Sequence, residues 1–256
     1  MDLGIRDRVA LVAAGTSGLG LAAAVALARE AVQVSLCGRD PDRLAVARDA
    51  VAKAGDGRVL ASAVDVRDEA AVSRWVDRTV AEFGAVHIVV GNSGGPPPGT
   101  LDLLEPESYA DAFAACVQPH ITLTHAALPQ LRAAGWGRVL LIASETARQP
   151  IIHYGLSSTV RPALLGFART LAHTLGPVGI TVNVLAPGYH RTPGLERQFG
   201  ADPESELTRI GQRIPLGRIG RADDFGAVTT FLASEQAGFI TGTCLLVDGG
   251  ATKGTG

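Results

Sequence analysis

Lysine is almost missing from this chain: of its 23 basic side chains, all but Lys53 and Lys253 are arginine. No lysine is therefore available to a site built from the middle of the sequence. Cysteine is equally sparse. Cys37, Cys116 and Cys244 are widely separated and form no CxxC pair, which argues against a disulfide framework or a zinc site and leaves them as small buried hydrophobes. The histidines lack ligand spacing, since His120 and His125 do not share a helical face, and no metal is expected. Phenols are limited to Tyr109, Tyr154 and Tyr189. With a net charge of −2 and no basic cluster, the chain carries no electrostatic footprint for nucleic acid or an anionic membrane. Its longest apolar runs, such as "LAAAVALA" from Leu21, are too short to span a bilayer, and Met1-Asp2-Leu3 does not read as a signal peptide. A cytoplasmic protein with a small-molecule partner is the expectation.

What is present is a regular alternation. Seven apolar runs, "VALVAA", "VQVSLCG", "VLASAVDV", "VHIVVGNSG", "GRVLLIAS", "ITVNVLAPG" and "TCLLVDGG", are separated by stretches with helical periodicity at Leu21–Glu30, Arg43–Ala54, Glu69–Phe83 and Tyr109–Ala134. Strands apolar on both faces and joined by helices predict an α/β fold: one Rossmann-like domain over residues 1–256, its doubly wound parallel sheet covered on both faces by helices. "GGPPPG" at Gly94–Gly99 reads as a local loop. The polar stretch His190–Arg213 reads as a long insertion, the expected substrate lid.

Directly after the first run comes "AAGTSGLG", Ala13–Gly20, leading into an alanine-rich helix. Gly15, Thr16, Ser17, Gly18, Leu19 and Gly20 are expected to turn tightly so that backbone amides and the helix N-terminus can hold a pyrophosphate. From about Arg8 to Gly250 the chain resembles the short-chain dehydrogenase/reductase family. In that family's TGxxxGxG motif the opening pair is here Ala13-Ala14, Gly18 and Gly20 keep their places, and Gly15 is expected to take over the lost flexibility. "GNSG" (Asn92, Ser93, Gly94) resembles the family's NNAG. "VDV" (Asp65, Val66) resembles the element beside the adenine. "PGYHRT" (Pro187, Gly188, His190, Thr192) resembles the one that holds the nicotinamide and phosphates. At the end of the second strand stands Gly38-Arg39, where an acidic residue would repel a 2′-phosphate and an arginine fork would accept it. NADP(H) is therefore expected in preference to NAD(H).

The resemblance also implies a serine, a tyrosine thirteen residues later and a lysine four beyond that. The serine is Ser144, but the count then reaches Ser157 and Arg161, with Gly166 supporting the register, and Cys116 stands where an asparagine is expected. Arginine keeps a cation that can clamp a ribose but does not release its proton, and an aliphatic hydroxyl is a poor acid. Tyr154 lies on the same face as Ser157 and Arg161 if the helix extends back far enough. It is then either a proton donor or an amphipathic ring at the cleft rim; His153 and a water relay through Ser157 are the other routes for the proton. Pro162 favours a helix start near Ser158 or Thr159, with Arg161 pushed out of helical geometry. Arg161 is either a ribose clamp or an ion-pair partner of Glu145. His190 reaches the substrate or points to solvent, and Tyr189 packs over the cofactor.

The expected function is hydride transfer between the nicotinamide and a small carbonyl or alcohol at a non-standard site. A cofactor-binding partner subunit without redox activity, or a non-redox step in the same pocket, stands as the alternative. Resemblance further implies a homo-oligomer, dimer or tetramer, built on Tyr109–Ala134 and Ser158–Leu175, with Leu164, Leu165, Phe167 and Leu171 as the face or simply as core.

Overall fold

The seven apolar runs become the seven strands of one parallel sheet. In the computed structural model, which describes residues 2–200 and 202–254, these begin with β1 (Val9–Val12), β2 (Gln33–Gly38), β3 (Val59–Ala63), β4 (Ile88–Gly91), β5 (Gly137–Ile142) and β6 (Ile180–Pro187). A two-stranded pair, β7 (His190–Arg191) and β8 (Gly220–Arg221), precedes the closing strand β9 (Cys244–Val247). The large sheet runs β3-β2-β1-β4-β5-β6-β9 with every pair parallel. The strand order reverses between β1 and β4, so the loops leaving those two strands diverge and open a crevice at their carboxyl ends.

Both faces are covered. The helices are α1 (Gly18–Arg29), α2 (Pro41–Ala54), α3 (Glu69–Phe83), α4 (Glu107–Cys116), α5 (Gln118–Ala134), α6 (Gly155–Val160), α7 (Ala163–Leu175), α8 (Pro193–Gln198), α9 (Pro203–Gly211) and α10 (Ala222–Leu232). Because successive strand residues point to opposite faces, Leu11 and Val89 enter one core with Trp75, Leu123 and Leu164. Ala10, Val12, Ile88 and Val90 enter the other with Leu27, Val51 and Phe225. Cys37 and Cys116 are buried and Cys244 is half-buried, all three free. Among the described residues no helix is long and apolar enough to cross a membrane.

Three expectations are corrected. The stretch Tyr109–Ala134 is two helices, because Pro119 supplies no N–H near the start of α5 and the chain bends at Val117 (φ −116°). The segment 190–213 is largely helical. Thr192 accepts from the Leu195 amide to cap α8 and Asp202 from the Ser205 amide to cap α9, each followed at once by a proline in the first turn. The active-site helix starts at Gly155 rather than near Ser158, and Arg161 stays in helical geometry (φ −66°, ψ −28°) despite Pro162. The interruption falls between α6 and α7, where proline sits ahead of a new first turn.

Candidate active site

The glycine turn after β1 is built differently from its sequence. Ala14 itself takes the left-handed conformation (φ 46°), so the strain is not passed to Gly15. Gly15 is required for space instead: a Cβ there would lie 3.0 Å from Leu36 Cβ and 3.2 Å from the Val12 carbonyl. Gly18 is left-handed (φ 57°) and delivers the chain to α1. Ser17 caps that helix without a side-chain hydrogen bond, and no side chain among the described residues accepts from its first amides. Asn92, at the end of β4, reaches across the switch point to donate to the Ala14 carbonyl (3.4 Å). Gly20 packs under both, leaving no room for a Cβ (2.4 Å from Ala14 O).

One end of the crevice is cationic. Gly38 closes β2 against Thr16, whose Cγ2 would be 2.3 Å from any added Cβ. Arg39, next to it, is exposed and forms no ion pair among the described residues. The neighbouring Asp40 carboxylate is engaged as the α2 cap, accepting from the Asp42 and Arg43 amides. Asp65 at the end of β3 is clamped by Arg67 (2.6 Å), which holds its carboxyl down at about 2, and Val66 packs half-buried against the core.

The other end is a cleft of about 430 Å³. Ser17, Gly18, Leu19, Asn92 and Ser93 line it from the glycine side, and Pro187, Gly188, His190 and Thr192 from the β6 turn. Ser144, Tyr154, Ser157 and Arg161 all face this one space. Gly94 contributes through its carbonyl, whereas Gly15, Thr16, Gly20, Gly38, Arg39, Asp65 and Val66 lie outside the cleft wall. Ser144 Oγ accepts from the Thr146 amide (3.3 Å). The Ser157 and Thr146 hydroxyls share a 2.8 Å hydrogen bond in the buried wall.

Arg161 is buried at 7% exposure and donates to the Ala143 carbonyl (2.9 Å) and the Gly94 carbonyl (3.4 Å). Its Nε is buried with no partner, and it forms no ion pair with Glu145 or any other carboxylate among the described residues. Burial accordingly pushes the guanidinium pKa down, against a small opposing effect of Cys116. A cation fixed at the floor of a cleft by backbone carbonyls, with N–H donors left over on Nε and Nη2, is equipped to take hydroxyl or phosphate oxygens.

Tyr154 stands at the head of α6, where its hydroxyl accepts from Gln198 Nε2 (2.9 Å) on α8. It lines both the inner cleft and an outer cavity of about 480 Å³. His153 is exposed and reaches only the outer cavity. His190 borders the cleft but is held in place: it is 5% exposed, bonds the Gly188 carbonyl through Nδ1 (3.1 Å), and meets the Phe225 ring edge-on at 5.7 Å. Tyr189 borders both cavities beside Tyr154, and burial raises its phenol pKa.

Glu145 was absent from the sequence reading as a site residue, although its position was legible as the first charge after the apolar run Val139–Ala143. It lines both cavities at 8% exposure, and burial, reinforced by the Asp248 carboxylate, pushes its carboxyl up to about 7. Gln198 was missed because its approach depends on the helical form of 193–198.

A doubly wound parallel sheet, a glycine turn at its switch point and a polar cleft across the strand ends define an α/β enzyme of the nucleotide-binding class. The chain belongs to the short-chain dehydrogenase/reductase family. A family model described as enoyl-(acyl carrier protein) reductase matches residues 13–252. Among relatives, the acetoacetyl-CoA reductase of Shinella zoogloeoides is 30% identical over 95% of this chain and 98% of its own. The L-sorbose reductase of Gluconobacter frateurii, solved with NADPH and L-sorbose, superposes with a TM-score of 0.94 at 30% identity over 99% of this chain and 100% of its own. An NADPH-bound oxidoreductase from Pseudomonas aeruginosa PAO1, described as containing an atypical catalytic center, gives 0.93 at 28% identity over 98% and 99%. The protein is an oxidoreductase of this family, whose members act on alcohol and ketone groups.

Proposed function

We propose that the protein interconverts a small-molecule ketone and alcohol using NADP(H) in preference to NAD(H), with Ser157 and Arg161 standing where the family places tyrosine and lysine. The observation that carries this reading is the convergence of Ser144, Tyr154 and Arg161 on one cleft at the end of the glycine turn. Arg39 takes the 2′-phosphate, the α1 amides and Thr192 the pyrophosphate, and Arg161 the ribose. Asp65 and Val66 edge the adenine. When bound, the nicotinamide supplies or accepts a hydride. Ser144 and Tyr154 hold the substrate oxygen by hydrogen bonds.

Ser157 serves as wall, its hydroxyl engaged by Thr146, and His153 lies outside the inner cleft. Segment 190–213 is the lid, its helices strapped by ion pairs from Arg191 to Glu196 and Glu204. A homo-oligomer fits α7, where Leu164 is core but Leu165, Phe167 and Leu171 are only half-buried. The cytoplasm is the compartment this reading assigns.

The test is loss of reduced-nicotinamide absorbance across a panel of ketones; tight cofactor binding with no turnover would favour a non-redox protein. Tyr154→Phe is expected to lower kcat/KM by about three- to tenfold, the worth of one hydrogen bond, and unchanged kinetics would remove the phenol from the site. Gly38→Ala is expected to weaken NADPH binding by roughly three- to tenfold through its collision with Thr16, and Thr16→Ala to restore it. Isothermal titration of the single and double variants checks this.

A further inference from the structure

Glu145 has the burial of a core residue and the surroundings of a reactive one. It is 8% exposed, yet its carboxyl forms no ion pair and no side-chain hydrogen bond among the described residues. Opposite it, Gly188 comes so close that an added Cβ would lie 3.1 Å from Glu145 Oε2. A carboxyl withdrawn from water without a partner weakens a fold, and such groups concentrate at functional sites. Its place is specific: it follows Ser144 directly and borders both the inner cleft and the outer cavity. By contrast, no basic side chain among the described residues hydrogen-bonds Tyr154, whose hydroxyl accepts from the neutral Gln198.

We propose that the Glu145 carboxyl is the acid that protonates the substrate oxygen during carbonyl reduction, and the base that takes the proton back in alcohol oxidation. This rests on the oxidoreductase reading above. Reduction adds a hydride to the carbonyl carbon, at the expense of the reduced nicotinamide, and a proton to its oxygen. The Glu145 O–H bond breaks as the substrate O–H bond forms. The carboxylate that remains recovers its proton from water in the outer cavity, so proton entry does not require the inner cleft to open.

The surrounding charges suit that cycle. Withdrawal from solvent opposes ionisation, as does Asp248, beyond β9; Tyr154 and Tyr189 line both cavities with the carboxyl. His190, on the same turn as Tyr189, is directed to the Gly188 carbonyl. The cations that line the two cavities with Glu145, Arg161 in the inner and Arg209, Arg213 and Lys253 in the outer, form no ion pair with it among the described residues, and His153 faces the outer cavity. Burial, reinforced by Asp248, brings the carboxyl up to about 7, where donation and recovery are both fast.

The test uses the wild-type protein with Glu145→Gln and Glu145→Asp. In the cofactor-free protein, infrared or carbon-13 spectroscopy should find one carboxyl titrating near 7 that is absent from the glutamine variant. The sign in stability is fixed: a carboxyl raised from 4.5 to about 7 on folding costs the wild type stability, relative to Glu145→Gln, as pH rises through that interval. Glu145→Gln should lower kcat for reduction by about 10²–10⁴-fold with NADPH affinity within about twofold, and Glu145→Asp should retain an intermediate rate. In wild type, reduction should fall off above pH ~7 and oxidation below it. Near-wild-type turnover in the glutamine variant, a parallel loss of NADPH affinity, or no carboxyl titrating between pH ~6 and ~8 overturns the assignment. A wild-type protein that turns over no carbonyl defeats the oxidoreductase reading instead, and the assignment with it, whatever the spectroscopic titration gives.

Discussion

Arg161→Met is expected to weaken cofactor binding by about ten- to a hundredfold while the Tm of the unliganded protein moves by no more than about 3 °C. The two effects separate because the guanidinium sits at an odd place in the energetics. It is buried with no carboxylate partner among the described residues, so its desolvation is offset by hydrogen bonds to backbone carbonyls, chiefly Ala143 and Gly94. Methionine fills a similar volume, removes the buried charge and gives back part of that penalty. The two carbonyls lose their donor, but both face a cleft that water can enter, and water replaces it. For the cofactor nothing replaces it: a charge-assisted hydrogen bond to ribose or phosphate is worth ~1.5–3 kcal/mol.

Isothermal titration with NADPH and a thermal melt without ligand read the two terms independently. Loss of Tm with unchanged affinity would show that Arg161 serves the fold alone. Unchanged affinity and unchanged Tm would show that it serves neither. The nearby His120 supplies a further check. It is buried, and burial together with the Arg161 cation pushes its imidazole down to about 3. Removing the cation should raise that value without bringing it to the ordinary range, because burial is the larger cause.

The sheet was legible because parallel strands covered on both faces have no polar face to break the signal, and even the half-buried edge strands β3 and β9 keep apolar runs: seven runs gave seven strands. Helix α3 was legible to the residue, since Asp68 caps its start by accepting from the Ala71 amide and Gly84 ends it at φ 83°. The break at Val117 was not, because apolar periodicity runs through it and only Pro119 marks the missing amide. The helices of segment 190–213 were signalled by Thr192-Pro193 and Asp202-Pro203, a cap residue followed by proline, and were overlooked because polar composition outweighed that local chemistry.

In the site, the motif loops located the cleft, and the spacing of Tyr154, Ser157 and Arg161 placed them on one wall. What each side chain touches was not readable. How His190 is held depended on Phe225, thirty-five residues away on α10, and the isolation of Glu145 depended on Gly188 closing over it from the turn after β6. Such tertiary choices carry no periodic signature.

Arg39→Asp is expected to reverse the preference between the two nicotinamide dinucleotides, with NADPH affinity falling by about 10²–10³-fold and NADH affinity rising a few-fold. The magnitude combines two terms. The lost fork to a phosphate accounts for ~1.5–3 kcal/mol, and a carboxylate placed beside the phosphate adds ~1 kcal/mol of repulsion in an exposed setting. The setting favours a clean reversal. Gly38 leaves the strand end open beside Thr16, so an aspartate at 39 can approach the ribose hydroxyl. Asp40 cannot take that part, because its carboxylate is fixed on the α2 amides, nor can Asp65, which Arg67 holds. Arg43 remains as a second cation and should keep the NADPH loss finite. Because both groups are exposed, the effect should shrink as salt rises and the screening length falls below ~10 Å. A loss of NADPH affinity independent of ionic strength would point to a distorted strand end instead of a missing charge. Equal affinity for the two dinucleotides in the wild type would place the 2′-position beyond the reach of Arg39.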